Sequence, residues 1–142
     1  GLADRAPSSP PTYTAAGRSV TIESLRLSFE LPASFEVVEN EELVFLARSF
    51  ESRGVLSIQR DTADVVRHEP EGEESVAPAD IEGVDAVVVT DAVLAGLPAG
   101  VAARELLVAN RERSFTVILS AAEPALPRLW DDFISSVRIA PG

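Results

Sequence analysis

At 142 residues, 46% apolar and 25% charged, the chain is sized for one domain that builds its core unaided. It holds no Cys, no Met, no Lys and a single His, His68, which excludes disulfides, thiolate chemistry, lysine Schiff bases and a His-pair metal site within one chain. A net charge of −11 sets it against phosphate backbones and anionic membrane surfaces and leaves basic partners open.

Residues 1–17 (GLADRAPSSPPTYTAAG) are rich in Pro, Ser, Ala and Thr and nearly free of large apolar side chains, which predicts a flexible N-terminal arm or linker. A chain that begins at Gly1 without Met is expected to be processed or trimmed, and such an arm suits a tether to an upstream membrane span or lipid anchor. The single domain is expected over 18–142. SVTIE reads as a short strand. Leu25, Leu27, Phe29 and Leu31 alternate with Arg26, Ser28 and Glu30, the period of a half-buried strand that Pro32 ends. Phe35, Val37 and Val38 make a short continuation. Leu43–Phe50 and Val55–Arg60 follow as a strand pair. Residues 61–85 carry nine acids against one Arg, Arg67. With Pro70, Gly72 and Pro78 inside it, the stretch 61–83 is expected to be a solvated acidic surface loop, with one helical turn or a strand end at Thr62–Arg67. Val84–Leu94 is β-branched and reads as a strand. AGLPAG, with Gly96, Pro98 and Gly100, is a turn. Val101–Ala109 and Arg113–Ala121 form a hairpin. Leu126, Leu129, Trp130, Phe133, Ile134 and Val137 recur at helical spacing and make one apolar stripe, with Pro124 and Pro127 suited to its start. Val137–Ala140 is a candidate closing strand. The total is an α+β domain: a mostly antiparallel sheet of about six or seven strands packed against a C-terminal amphipathic helix.

Little in the chain carries chemistry. His68, beside Glu69 in a predicted loop, is the one side chain that titrates near neutrality unaided, but no G-x-S-x-G supplies a nucleophile. It is read as a surface histidine. Glu69, Glu71, Glu73 and Glu74 would suit a hard cation, yet the spacing of a calcium loop is missing and Pro70 interrupts it. Gly96 and Gly100 belong to the turn. Trp130 is read as core rather than as a stacking platform. Tyr13 is the one aromatic expected to be exposed in the arm. No catalytic, cofactor-binding or metal-binding residue, and no cofactor, is expected.

The order of segments LSFELPASFEVV, ELVFLARSF, GVLSIQRD, AGLPAGVAARELLV, FTVILSAAEP and LPRLWDDFISSVRI resembles the Mog1/PsbP-like family over about residues 19–140. The resemblance implies that α+β fold and a mostly non-enzymatic role. The family includes accessory subunits, small GTPase-binding factors, secretion chaperones and bacterial envelope lipoproteins. Many members carry a substantial helix where this chain has its acidic stretch, and no partner-binding residue transfers. With Arg as the sole strong base, as in GC-rich bacteria, the leading expectation is a non-enzymatic interaction or ligand-holding domain. It would be the soluble extracytoplasmic part of a bacterial envelope protein, with a protein partner, no nucleic acid and no membrane insertion by this segment. The alternative is a cytoplasmic adaptor or chaperone that binds apolar segments of a secreted protein on its sheet face. A third reading is an enzyme that uses only carboxylates, arginines and hydroxyls.

Overall fold

The structure, a computed structural model, describes residues 13–142. Among them are eleven strands, three short 3-10 turns and one α-helix. Strands β1 (Thr14–Ala16), β2 (Ser19–Ile22), β3 (Leu27–Glu30) and β11 (Arg138–Ile139) form a four-stranded sheet in the order β1-β2-β3-β11. Strands β4 (Glu36–Val37), β5 (Phe45–Ser49), β6 (Gly54–Arg60), β7 (Ser75–Pro78), β8 (Asp85–Thr90), β9 (Val101–Ala109) and β10 (Phe115–Ala122) form a seven-stranded sheet, β4-β5-β6-β10-β9-β8-β7. All of the pairings are antiparallel. The sequence predicts one sheet; the fold makes two.

Helix α1 (Leu126–Ser136) packs against β3 of the small sheet and against β9 and β10 of the large one. Its stripe buries Leu126, Trp130 and Phe133, with Leu129 and Ile134 half-buried at the margin. Alternate residues of the central strands meet it: Leu56, Ile58, Leu106, Val108, Val117 and Leu119 are buried in the same core. The rings of Tyr13, Phe45, Phe29, Phe133 and Trp130 run through that core in sequence, with centroids 5.2, 5.5, 5.4 and 5.8 Å apart. On the opposite face of the large sheet, Val89, Ala92, Ala103 and Leu107 form a second cluster beneath Val65, Val66, Leu94 and Leu97. The rest of that face, on β5, β6 and β10, mixes Leu46, Val55 and Ile118 with Arg48, Ser57 and Gln59.

Three expectations change. The arm predicted over 1–17 meets an ordered strand at its end. Thr14–Ala16 pairs with Ser19–Thr21, and Tyr13 stands edge-on to Phe45; residues 1–12 of that prediction lie outside the described residues. In the acidic stretch 61–83 the helical turn expected within Thr62–Arg67 forms, as a 3-10 turn over Ala63–Arg67, but part of the expected loop is a strand: Ser75–Pro78 is the outer strand β7, paired with Val87–Thr90. Pro78 is tolerated there because an edge strand leaves one side of its backbone unpaired. The alternating run from Leu25 is also interrupted. Glu23–Leu25 closes a 3-10 turn through Arg26 N–H to Glu23 C=O, and Arg26 adopts a left-handed φ of 53° before β3 begins.

Candidate functional site

A groove of about 1050 Å³ opens between α1, β3 and β11 on one side and the segment from Pro78 to Gly83 on the other. Helical spacing puts Trp130 and Ile134 one turn apart on the face that looks into it, and Val88, Val137 and Ile139 extend this apolar floor. Trp130 is only 4% exposed, so it shows an edge to the groove while its body fills the core. The walls are fixed by backbone contacts. Asn110 donates from Nδ2 to Ala140 C=O at 3.0 Å and accepts from Gly142 N–H at 2.8 Å. The Pro141 ring lies where a side chain on Gly83 would project: a Cβ there would meet Pro141 Cγ at 2.6 Å, and Gly83 has a φ of +83°. Both features require glycine at that point.

Two arginines line the groove, and both are partly committed to the frame. Arg26 Nη1 donates to Pro141 C=O at 3.1 Å, and Arg138 Nη1 donates to Ser135 and Val137 C=O at 3.1 and 2.8 Å. The latter pair satisfies carbonyls where α1 ends. Opposite them, Asp80 and Glu82 are exposed on the rim.

A second polar constellation lies on the other face of the large sheet. The Glu74 side chain, 1% exposed, accepts from His68 Nε2 at 2.7 Å, from Glu71 N–H at 2.9 Å and from Val93 N–H at 2.7 Å. Burial alone would push its carboxyl up. The Val93 amide, the His68 ring and the Glu71 amide outweigh that and hold it below the usual carboxylate range. Nearby Glu105, on β9, is 9% exposed; burial raises its carboxyl, His68 partly offsets the effect and the Glu74 charge adds to it. Glu74 is thus a clasp that ties residues 68–74 to the loop after β8. Its oxygens serve the protein's own backbone and His68, and no nucleophile joins them.

No sequence-family description and no curated protein matches the chain. Among solved structures, it is similar to the solution structure of cyanobacterial PsbP (CyanoP) from Synechocystis sp. PCC 6803. The TM-score is 0.60 at 16% identity, over 99% of this chain and 100% of that one. The fold is PsbP-like. In this PsbP-like fold the residues singled out from the sequence scatter. His68, read as a surface histidine, is half-buried and is bound to the buried Glu74. Glu69, Glu71 and Glu73 are exposed, and among the described residues no group of three or more His, Asp or Glu is arranged to hold a metal ion. Gly96 and Gly100 turn at φ of +81° and +79°. Tyr13 is half-buried, and the exposed aromatic is Phe50, 82% exposed at the β5–β6 turn under the Arg48 guanidinium. Of the residues weighed from the sequence, Trp130 alone reaches the groove. The others that build it, from Arg26 to Pro141, carry no local motif, because they converge only when β11 has paired with β3 and the segment 78–83 of the larger sheet lies opposite.

Proposed function

We propose that this chain is a non-enzymatic interaction domain that holds a protein partner in the groove beside α1. In this reading it is the soluble extracytoplasmic part of a bacterial envelope protein. The observation that carries it is the groove itself: an apolar floor of aromatic and aliphatic side chains inside a charged rim, which is the anatomy of a recognition site. Its walls are held by hydrogen bonds to backbone, so the site is largely formed before anything binds. The PsbP-like fold fits a non-catalytic role, and the buried Glu74 with its half-buried partner His68 is spent on structure. The Pro- and Ser-rich composition of residues 1–12 suits a tether. The adaptor alternative needs an apolar trough on the sheet face away from the helix. There the apolar half is already covered by Val65, Val66, Leu94 and Leu97, which favours the groove.

The test is affinity capture by the tagged chain from separated envelope and cytosol fractions of its source cells, repeated with Ile134→Glu and with Phe50→Ser. A partner taken from the envelope fraction, lost with Ile134→Glu and kept with Phe50→Ser, is the expected result. Capture only from cytosol would refute the envelope placement. Capture indifferent to Ile134→Glu in a chain that stays folded would refute the groove.

A further inference from the structure

We propose that the groove takes an extended segment of a basic protein partner, added as a strand to the free edge of β11. This rests on the reading of the groove as the binding site and specifies its occupant. In the β3–β11 ladder, Arg138 stands opposite Ser28 and Ile139 opposite Leu27, and Ala140 N–H donates to Arg26 C=O at 3.0 Å. Bonded pairs alternate along an antiparallel ladder, so 26/140 and 28/138 exchange hydrogen bonds while Ile139 turns its N–H and C=O away from β3. The neighbouring strand sets the same phase: Leu31 N–H donates to Arg18 C=O, which directs Leu27 and Phe29 toward β2 and Ser28 and Glu30 toward β11. The N–H and C=O of Ile139 have no partner among the described residues; the residue is 8% exposed, with its side chain in the core, and it meets the groove at its floor.

An unpaired N–H and C=O on a sheet edge form a template for another extended chain. Here that template runs beside an apolar floor. A strand laid against Ile139 would exchange two backbone hydrogen bonds with it and turn alternate side chains toward Trp130 and Ile134, which is the strand-addition mode of peptide recognition. Flanking structure limits the pairing to that point, because Val137 N–H is bonded to Ile134 C=O and Pro141 has no N–H. Side-chain contacts must therefore supply much of the selectivity. Charge sets its sign. Asp80 and Glu82 project from the facing wall, within a stretch of nine acids and one Arg, in a chain at −11 overall; Arg26 and Arg138 on the near wall keep their charge but are drawn toward the carbonyls of Pro141, Ser135 and Val137. A Lys or Arg of the incoming segment meets these two acids. A second copy of this chain, itself at −11, is disfavoured as the occupant by the same charge.

The experiment selects phage-displayed random peptides of roughly twelve residues, long enough at about 3.3 Å per residue to cross the groove, on the whole chain. The enriched peptide is then synthesised. Its binding is measured by fluorescence anisotropy with wild type, with Asp80→Lys/Glu82→Lys and with Ile134→Glu, and hydrogen exchange is followed at the Ile139 amide. Expected are winners with Lys or Arg beside alternating apolar residues. The double charge reversal should weaken binding by about tenfold or more, and Ile139 exchange should slow by at least about as much. N-methylation of alternate backbone nitrogens of the peptide should abolish binding. Acidic winners, no winners, or indifference to the charge reversal would overturn the proposal. Binding lost in Ile134→Glu with Ile139 exchange unchanged would overturn strand addition alone and leave the groove standing. Binding indifferent to Ile134→Glu would remove both. Protection of Ile139 in a dimer of the free chain, seen by sedimentation, would replace the partner by self-pairing.

Discussion

Glu74 and Glu105 sit close together and respond to pH in opposite senses. Glu74 is held below the ordinary carboxylate range, so its contribution is present above the unfolded value of about 4.3 and is lost as pH falls through its folded value. Glu105 is raised, so the stability linked to its proton is complete below about 4.3 and declines as pH rises through its folded value. Two substitutions separate them. Glu74→Ala removes a carboxylate that accepts from His68 and two backbone amides, and should cost roughly 1.5–3 kcal/mol at pH 7, with a smaller loss at pH 3. Glu105→Gln should raise the melting temperature at pH 7 and leave it nearly unchanged at pH 4. Thermal melts across pH 3–8 check both. A Glu74→Ala variant as stable as wild type at pH 7 would mean that the clasp does not hold the 68–74 segment. None of this is visible in the composition of residues 61–83, where Glu74 is one acid among many. What singles it out is the amide of Val93, nineteen residues away.

At the scale of elements, the helix is where pattern and structure agree most closely. The spacing of Leu126, Leu129, Trp130, Phe133, Ile134 and Val137 predicts a buried stripe; Leu126, Trp130, Phe133 and Val137 are buried, and Leu129 and Ile134 are half-buried at its margin. Trp130→Ala should cost about 3–5 kcal/mol by denaturant unfolding, through lost transfer energy and the cavity left beside Phe133. A cost below about 1 kcal/mol would mean that the indole contributes little to the core. Strands β6, β9 and β10 were equally legible, because central strands bury one face or both and their side chains record it. The missed strands are edges. β1 is exposed at all three residues, and β7 has only Val76 half-buried among exposed neighbours. Their formation rests on backbone pairing, which no side-chain periodicity reports. The 3-10 turn before β3 was hidden for a different reason: Leu25 is buried as a strand residue would be, so the alternation continued across a change of backbone. The groove was the least legible feature, since its walls come from residues 26–28, 78–83 and 137–141 and meet only after both sheets have formed.

At the scale of the molecule, one helix is shared by two antiparallel sheets, and the groove lies where their edges come near each other beside it. The excess of acids is concentrated in residues 61–85, and the exposed Phe50 at the β5–β6 turn offers a rival contact point well separated in sequence from the groove. Like-charge crowding on a chain at −11 should be relieved by screening, so the melting temperature should rise modestly between low salt and physiological ionic strength, where the Debye length is about 8 Å. A fall over that range would show that attractive charge pairs dominate instead. The central claim, that the groove beside α1 is where a partner binds, is tested most directly by site-specific photocrosslinking in the source cells. Benzoylphenylalanine is placed at Ser135 on the groove wall in one variant and at Phe50 in another, and the crosslinked products are identified by mass spectrometry. The account predicts one discrete partner protein crosslinked from position 135 and none from position 50. A discrete partner captured from position 50 alone would contradict it.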